Sequence, residues 1–272
     1  MTTTSPAPST GAAGSGRAAI SARTLRTDRW WLSPLVTAAV LGVFISYTTV
    51  RLFMRDFYWV DEYSYLTPLY SPCLSDSCAP GSSHFGTPLP EFPMAIPLPL
   101  LIFPIIGGFR LTCYYYRKAY YRAFWLSPPA CGVAEPHKSY TGETRFPLVL
   151  QNVHRYFFYL GLVLNGFLTY EAFLGFTDPE GGIGMGLGTL VLLVNAALLW
   201  LYSVSCHSCR NSVGGRINNF SKHPVRYWAW TQVSKMNAYH MQIAWVSLVW
   251  VALSDLYVRL LASGTITDLR FF

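Results

Sequence analysis

The chain of 272 residues is 52% hydrophobic and 12% charged, with a formal net charge of +7. These proportions suit a protein dissolved in a bilayer. The positive balance does not imply nucleic acid, because no nucleic-acid-binding motif accompanies it. No apolar run alternates with period two, which argues against a transmembrane barrel.

Residues 1–29 are rich in Ser, Thr, Ala, Gly and Arg and read as a disordered cytoplasmic tail. They lack a signal peptide's features, since the first apolar run starts late, has no small-residue cleavage site and is long enough to span. Five apolar runs near the roughly 20 residues needed to cross a bilayer as helix follow, at about 31–53, 94–116, 156–176, 184–206 and 236–254. The expected fold is therefore an all-α membrane protein, a five-helix transmembrane domain over residues 30–262 with a short outer tail at 263–272. No internal repeat stands out.

Orientation follows from the cations. Arg17, Arg23, Arg26 and Arg29 precede span one; Arg117, Lys118, Arg122, Lys138 and Arg145 lie between spans two and three; Arg210, Arg216, Lys222 and Arg226 follow span four. Five crossings put all three groups on one side, and the positive-inside rule makes that side cytoplasmic. The N-terminus is then inside and the C-terminus outside. The loop at 54–93 falls outside, where the run CLSDSC favours a disulfide between Cys73 and Cys78. Glu171 and Asp255, near the outer ends of spans three and five, read as interface residues.

On the opposite side, soft metal-ligand residues gather at one depth. Lys235 is the last cation before span five, so His240 lies about 7 Å deeper at 1.5 Å per residue. His154 adjoins Arg155, Cys206 and Cys209 fall within a turn or so of Arg210, and Cys113 sits between Arg110 and Arg117. Cys206 and Cys209 are three apart and share a face if helix continues through them. His154, Cys206, Cys209 and His240, with Cys113 as alternative ligand, match a tetrahedral zinc site or the two-thiolate, two-imidazole set of a Rieske-type [2Fe-2S] cluster. Two histidines facing each other could instead clamp a haem b. Hydrogen-bonded packing histidines and buried thiols are the plainer alternative.

Arg110, inside span two, is an intramembrane cation and thus a functional candidate. It could balance cluster charge, donate to a quinone oxygen or reach a headgroup. The same layer is dense in aromatics, which an interfacial belt explains and which a flat lipophilic ligand would also use. Arg110, Arg155, Trp230 and Tyr239 neighbour the candidate ligands and are the candidate quinone contacts.

The stretches RLTCYYYRKAYYRAFW (110–125), PACGVAEP, YTGETRFPLVLQNVHRYFFY, SCHSCR and KMNAYHMQIAW resemble the membrane subunit of the actinobacterial, including mycobacterial, succinate dehydrogenases. The resemblance implies a five-helix anchor in the bacterial plasma membrane. It would dock a flavoprotein and an iron-sulfur subunit on its cytoplasmic face and pass electrons to menaquinone, with a higher oligomer possible. Succinate chemistry would belong to the partner subunits, because the chain has no nucleotide-binding glycine fingerprint and no flavin attachment site. Relatives in that superfamily carry one or two haems b; only His154 and His240 lie within helices at usable depth here, which limits a haem to one. Paired thiolates are not needed for a haem and favour the Rieske-type set. A non-enzymatic polytopic protein with structural zinc is the rival class, although the odd span count and the lack of paired broken helices argue against a duplicated transporter.

Overall fold

The computed structural model describes residues 26–90, 99–133, 136, 146–177 and 181–272. Most of the predicted tail, together with Pro97, Lys138 and Arg145, lies outside the described residues. The chain is helical: α1 Leu32–Met54, α2 Pro99–Leu111, α3 Tyr114–Phe124, α4 Phe146–Leu174, α5 Leu187–Val204, α6 His207–Gly214, α7 Pro224–Asn237 and α8 His240–Ala262. Between α1 and α2 the loop carries a two-stranded antiparallel ribbon, β1 Trp59–Val60 and β2 Tyr65–Leu66, in register Trp59 with Leu66. Four helices are long and apolar enough to cross a membrane: α1, α4 from Asn152, α5 and α8. The second predicted span appears as the shorter apolar helix α2, interrupted at Cys113 before α3 begins.

Side chains that would be misplaced in water confirm the solvent. Val43 on α1, Val163 and Phe173 on α4 and Val246 and Leu253 on α8 all turn outward, a distribution suited to lipid tails. Inside, α5 packs against both α4 and α8, α2 lies on α4, and α3 folds back against α1. One core cluster joins Leu41, Phe109, Tyr116, Phe158, Tyr202, Ala244 and Leu248 with Cys113 and Cys206. A second, at the opposite end of the bundle, combines Tyr65, Ala172, Leu192, Val258 and Leu261.

The helices break where local chemistry competes with the backbone ladder. α2 ends at Leu111, shortly after the weak helix formers Gly107 and Gly108, and just beyond it the Thr112 hydroxyl donates to the Gly108 carbonyl at 2.7 Å. Cys113 then takes an extended conformation, φ −64° and ψ 133°. The sequence leaves open whether helix continues through Cys206 and Cys209 or ends there; α5 stops at Val204, and Cys206 is extended at φ −68° and ψ 148° as the N-cap of α6. Cys206 and Cys209 are thus not two positions on one face of a single helix. The fifth predicted span is likewise divided, α7 ending at Asn237 and α8 starting at His240. Asn237 spans the gap by donating to the Ser205 carbonyl at 2.7 Å.

Two further expectations are revised. Glu171 and Asp255 are not interface residues but buried, at 2% and 0% exposure. Asp255 is drawn inward because Arg51, itself buried, donates from Nε at 2.8 Å and Tyr47 donates to the same oxygen at 2.6 Å; Glu171 faces His84 at 3.9 Å. The C-terminal residues also form more than a tail. Asp268 accepts from Tyr65, Tyr257 and the Gly188 amide, and Phe271 N–H bonds back to the Met185 carbonyl. Within the loop between α1 and α2, Cys73 and Cys78 are joined by a disulfide.

Candidate metal centre

Three helix breaks and one unbroken helix build the site. Cys113 caps α3, Cys206 caps α6, His240 opens α8, and α4 presents His154 about two turns from its N-terminal end. All four are buried, none more than 7% exposed. His154 Nε2 stands 3.1 Å from Cys206 Sγ, and His240 Nε2 stands 3.5 Å from Cys113 Sγ. The four donors therefore form two facing imidazole–thiol pairs drawn from four parts of the chain. Among the described residues no three His, Cys, Asp or Glu side chains converge to hold a single ion.

Cys209 does not join them. It lies on α6, half-buried against the edge of the core, and burial pushes its thiol above the ordinary range. A cavity of about 370 Å³ is lined by Cys113, His154, Cys206 and His240, together with Thr112, Arg155, His207 and Asn211, but not by Cys209. His207, outside the spans, is held below the ordinary imidazole range, first by burial and then by nearby Arg210.

The surroundings hold the imidazoles in place. Phe109 stacks on His154 at 5.2 Å between ring centres, and Tyr202 stacks on His240 at 5.1 Å with 9° between planes. His154 Nδ1 lies 2.7 Å from Thr112 Oγ1, and His240 Nδ1 lies 2.7 Å from Ser205 Oγ. The Ser208 amide, at the start of α6, donates to Cys206 Sγ at 3.4 Å. A thiolate is stabilised at such a helix N-terminus, where backbone N–H groups lack helical partners.

The four candidate quinone residues are not brought together. Arg110 turns into the bundle, donating to Tyr116 Oη at 2.5 Å, the Ala244 carbonyl at 3.3 Å and Ser247 Oγ at 3.2 Å, with its guanidinium over the Tyr202 ring at 4.7 Å. It borders a second, apolar cavity of about 1230 Å³ between α1, α2, α3, α4, α5 and α8, with Asn165, Tyr202 and Ser203 among its few polar groups. Arg155 borders the smaller cavity of the cysteine–histidine layer. Trp230 lies under Arg210, 5.0 Å from ring centre to guanidinium, and Tyr239 is exposed; neither lines either cavity.

Thr112 and Ser205 were not singled out from sequence. A signal is nonetheless present: T-C-Y-Y-Y-R at 112–117 and S-C-H-S-C-R at 205–210 share a hydroxyl residue, a cysteine and an arginine at matching offsets. In both, the Arg amide closes the first turn on the cysteine carbonyl, at 2.9 Å for Arg117 and 3.1 Å for Arg210. Two six-residue segments 93 positions apart are too short to rise above chance without the fold that faces them.

Residues 32–264 match the family model of the actinobacterial succinate dehydrogenase subunit SdhC. No curated protein sequence matches the chain. Among solved structures, a chain of the Mycobacterium smegmatis Sdh1 complex in the apo form is 58% identical, with a TM-score of 0.87, over 94% of this chain and 97% of that one. With four apolar spans, this fits a multi-pass protein of the bacterial inner membrane. The chain belongs to the actinobacterial SdhC family and is the membrane-anchor subunit of a succinate dehydrogenase.

Proposed function

We propose that this subunit anchors a flavoprotein and an iron-sulfur subunit at its cytoplasmic face and relays electrons from succinate oxidation to menaquinone, holding a Rieske-type [2Fe-2S] cluster within the membrane. The observation that carries the reading is the gathering of His154, His240, Cys113 and Cys206 on one cavity, with each Nε2 facing a sulfur. Two imidazoles and two thiols are the donor set of such a cluster. A cluster of that type takes both thiolates on one iron and both imidazoles on the other, so each His–Cys contact brings together donors to different irons; a lone tetrahedral zinc needs all four donors around one point, and among the described residues no three converge on one. Cys113 replaces Cys209 in the proposed ligand set, because Cys113 faces His240 and Cys209 lies outside the cavity.

When bound, the cluster supplies one-electron transfer at a potential raised by its imidazole ligands. The chain's own residues do the rest. Cys113, His154, Cys206 and His240 hold the centre, the rings of Phe109 and Tyr202 stack on the two imidazoles, and the Ser208 amide, donating to Cys206 Sγ, offsets its negative charge. The apolar cavity supports a prenylated quinone as acceptor, since such ligands take sites that are mostly apolar with a few polar groups. The cations after α3 and α5, and the exposed Val225 and Trp228 of α7, support a five-crossing bundle with its docking face in the cytoplasm.

The test is paired optical and low-temperature EPR spectroscopy of the dithionite-reduced complex, with His154→Ala and His240→Ala preparations beside it. A rhombic Rieske-type signal lost in both variants, without haem bands, is the expected result. Sharp haem bands move the centre to a bis-histidine haem b, and silence in every preparation returns the four residues to zinc or packing.

A further inference from the structure

We infer that Thr112 and Ser205 are positioning residues that set the tautomer and orientation of the two histidines, in a crossed arrangement that couples the two halves of the site. This inference rests on the ligand set proposed above. It begins with proton counting. A hydroxyl has one proton to donate. Thr112 gives its proton to the Gly108 carbonyl at 2.7 Å, and Ser205 gives its proton to the Tyr202 carbonyl at 3.1 Å. Each hydroxyl can then only accept from the imidazole nitrogen 2.7 Å away. The hydrogen of each neutral ring therefore sits on Nδ1, and each Nε2 presents a lone pair.

Those lone pairs are the atoms that face sulfur. His154 Nε2 points to Cys206 and His240 Nε2 to Cys113, as a metal ligand must present itself. A hydrogen bond at the far ring nitrogen is the usual means by which a protein fixes a ligating histidine. Here the carbonyl, hydroxyl and imidazole form a chain on each side, with no charged group in either.

The connectivity is crossed. Thr112 precedes Cys113 in sequence but orients His154, which faces Cys206; Ser205 precedes Cys206 but orients His240, which faces Cys113. Each helix break thus fixes one thiol of one pair and one imidazole of the other. A shift of either break moves members of both pairs, so the two halves are held in register by two dipeptides, Thr112–Cys113 and Ser205–Cys206. The shared extended conformation of the two cysteines makes the devices equivalent.

The experiment uses the intact complex carrying Thr112→Val, which keeps the side chain's shape, or Ser205→Ala. Thr112→Ser and Ser205→Thr retain the hydroxyl, and Thr112→Ala serves if Val is not accommodated. Two readouts are taken: iron retained against increasing chelator, and nitrogen couplings in pulsed EPR with ¹⁵N-labelled histidine. Loss of a hydroxyl is expected to lower resistance to chelator by roughly 10- to 100-fold and to change one of two histidine couplings, a different one in each variant. The hydroxyl-retaining variants recover both. Wild-type couplings and retention in Thr112→Val and Ser205→Ala overturn the positioning role while leaving the ligand set intact. A wild-type complex without two histidine-nitrogen couplings overturns the ligand set itself, and the positioning role with it.

Discussion

The buried ion pair between Arg51 and Asp255 gives the sharpest stability prediction. Both side chains are within 1% of fully buried, Arg51 Nε donates to Asp255 Oδ2 at 2.8 Å, and Tyr47 donates to the same oxygen. Asp255→Leu removes the carboxylate and leaves the guanidinium buried with only the Asp56 and Phe57 carbonyls, at 3.1 and 3.2 Å, as oxygen acceptors. Breaking a buried pair from one side costs about 3–5 kcal/mol. The two remaining carbonyls place Asp255→Leu at the lower end, about 3 kcal/mol. Arg51→Met strands the carboxylate with Tyr47 alone and should cost about 4 kcal/mol on the same scale. At about 2–4 °C per kcal/mol for a chain of this size, thermal unfolding of the detergent-solubilised complex, followed by tryptophan fluorescence, should shift down by on the order of 10 °C. The combined Arg51→Met/Asp255→Leu variant replaces the pair with apolar groups and should recover at least half of the loss, because desolvation of two charges is also removed. A double variant as unstable as the sum of the singles, or single shifts below about 1 kcal/mol as for an exposed pair, would refute the assignment of the pair as mutually compensated.

Other consequences can be measured with the same preparations. Cys113→Ser should abolish the EPR signal expected of the centre, whereas Cys209→Ser should leave it within spectral error; the reverse result would restore the Cys206–Cys209 pairing. Replacing Cys73 and Cys78 by Ser opens a six-residue loop, sequence separation 5, and should cost about 2 kcal/mol by the chain-entropy relation, read as a lower unfolding temperature without change in the centre's spectrum. Gly188→Ala sets a methyl group into the Tyr65 ring, an overpacking expected to cost about 1–3 kcal/mol. A Tyr65→Leu background should relieve that steric part, and a Gly188→Ala loss of the same size in both backgrounds would remove the clash as its cause.

Sequence alone determined the solvent, the helical class and the layer of the site. Apolar run length and low charge fix a helical membrane protein because a bilayer leaves few ways to satisfy the backbone. Cation positions relative to those runs placed His154, Cys206 and His240 at a common depth, because rise per residue along a helix is constant. The same arithmetic could not tell Cys113 from Cys209, since depth is one coordinate and facing is another. Tertiary structure decided the facing: α2 and α5 break at Cys113 and Cys206, and those breaks turn the two sulfurs toward histidines on α8 and α4. It also drew Asp255 and Glu171 inward, where burial depends on which neighbouring element supplies a partner. The roles of Thr112 and Ser205 were the least legible, because a hydroxyl beside a cysteine gains meaning only when an imidazole from a remote helix arrives 2.7 Å away.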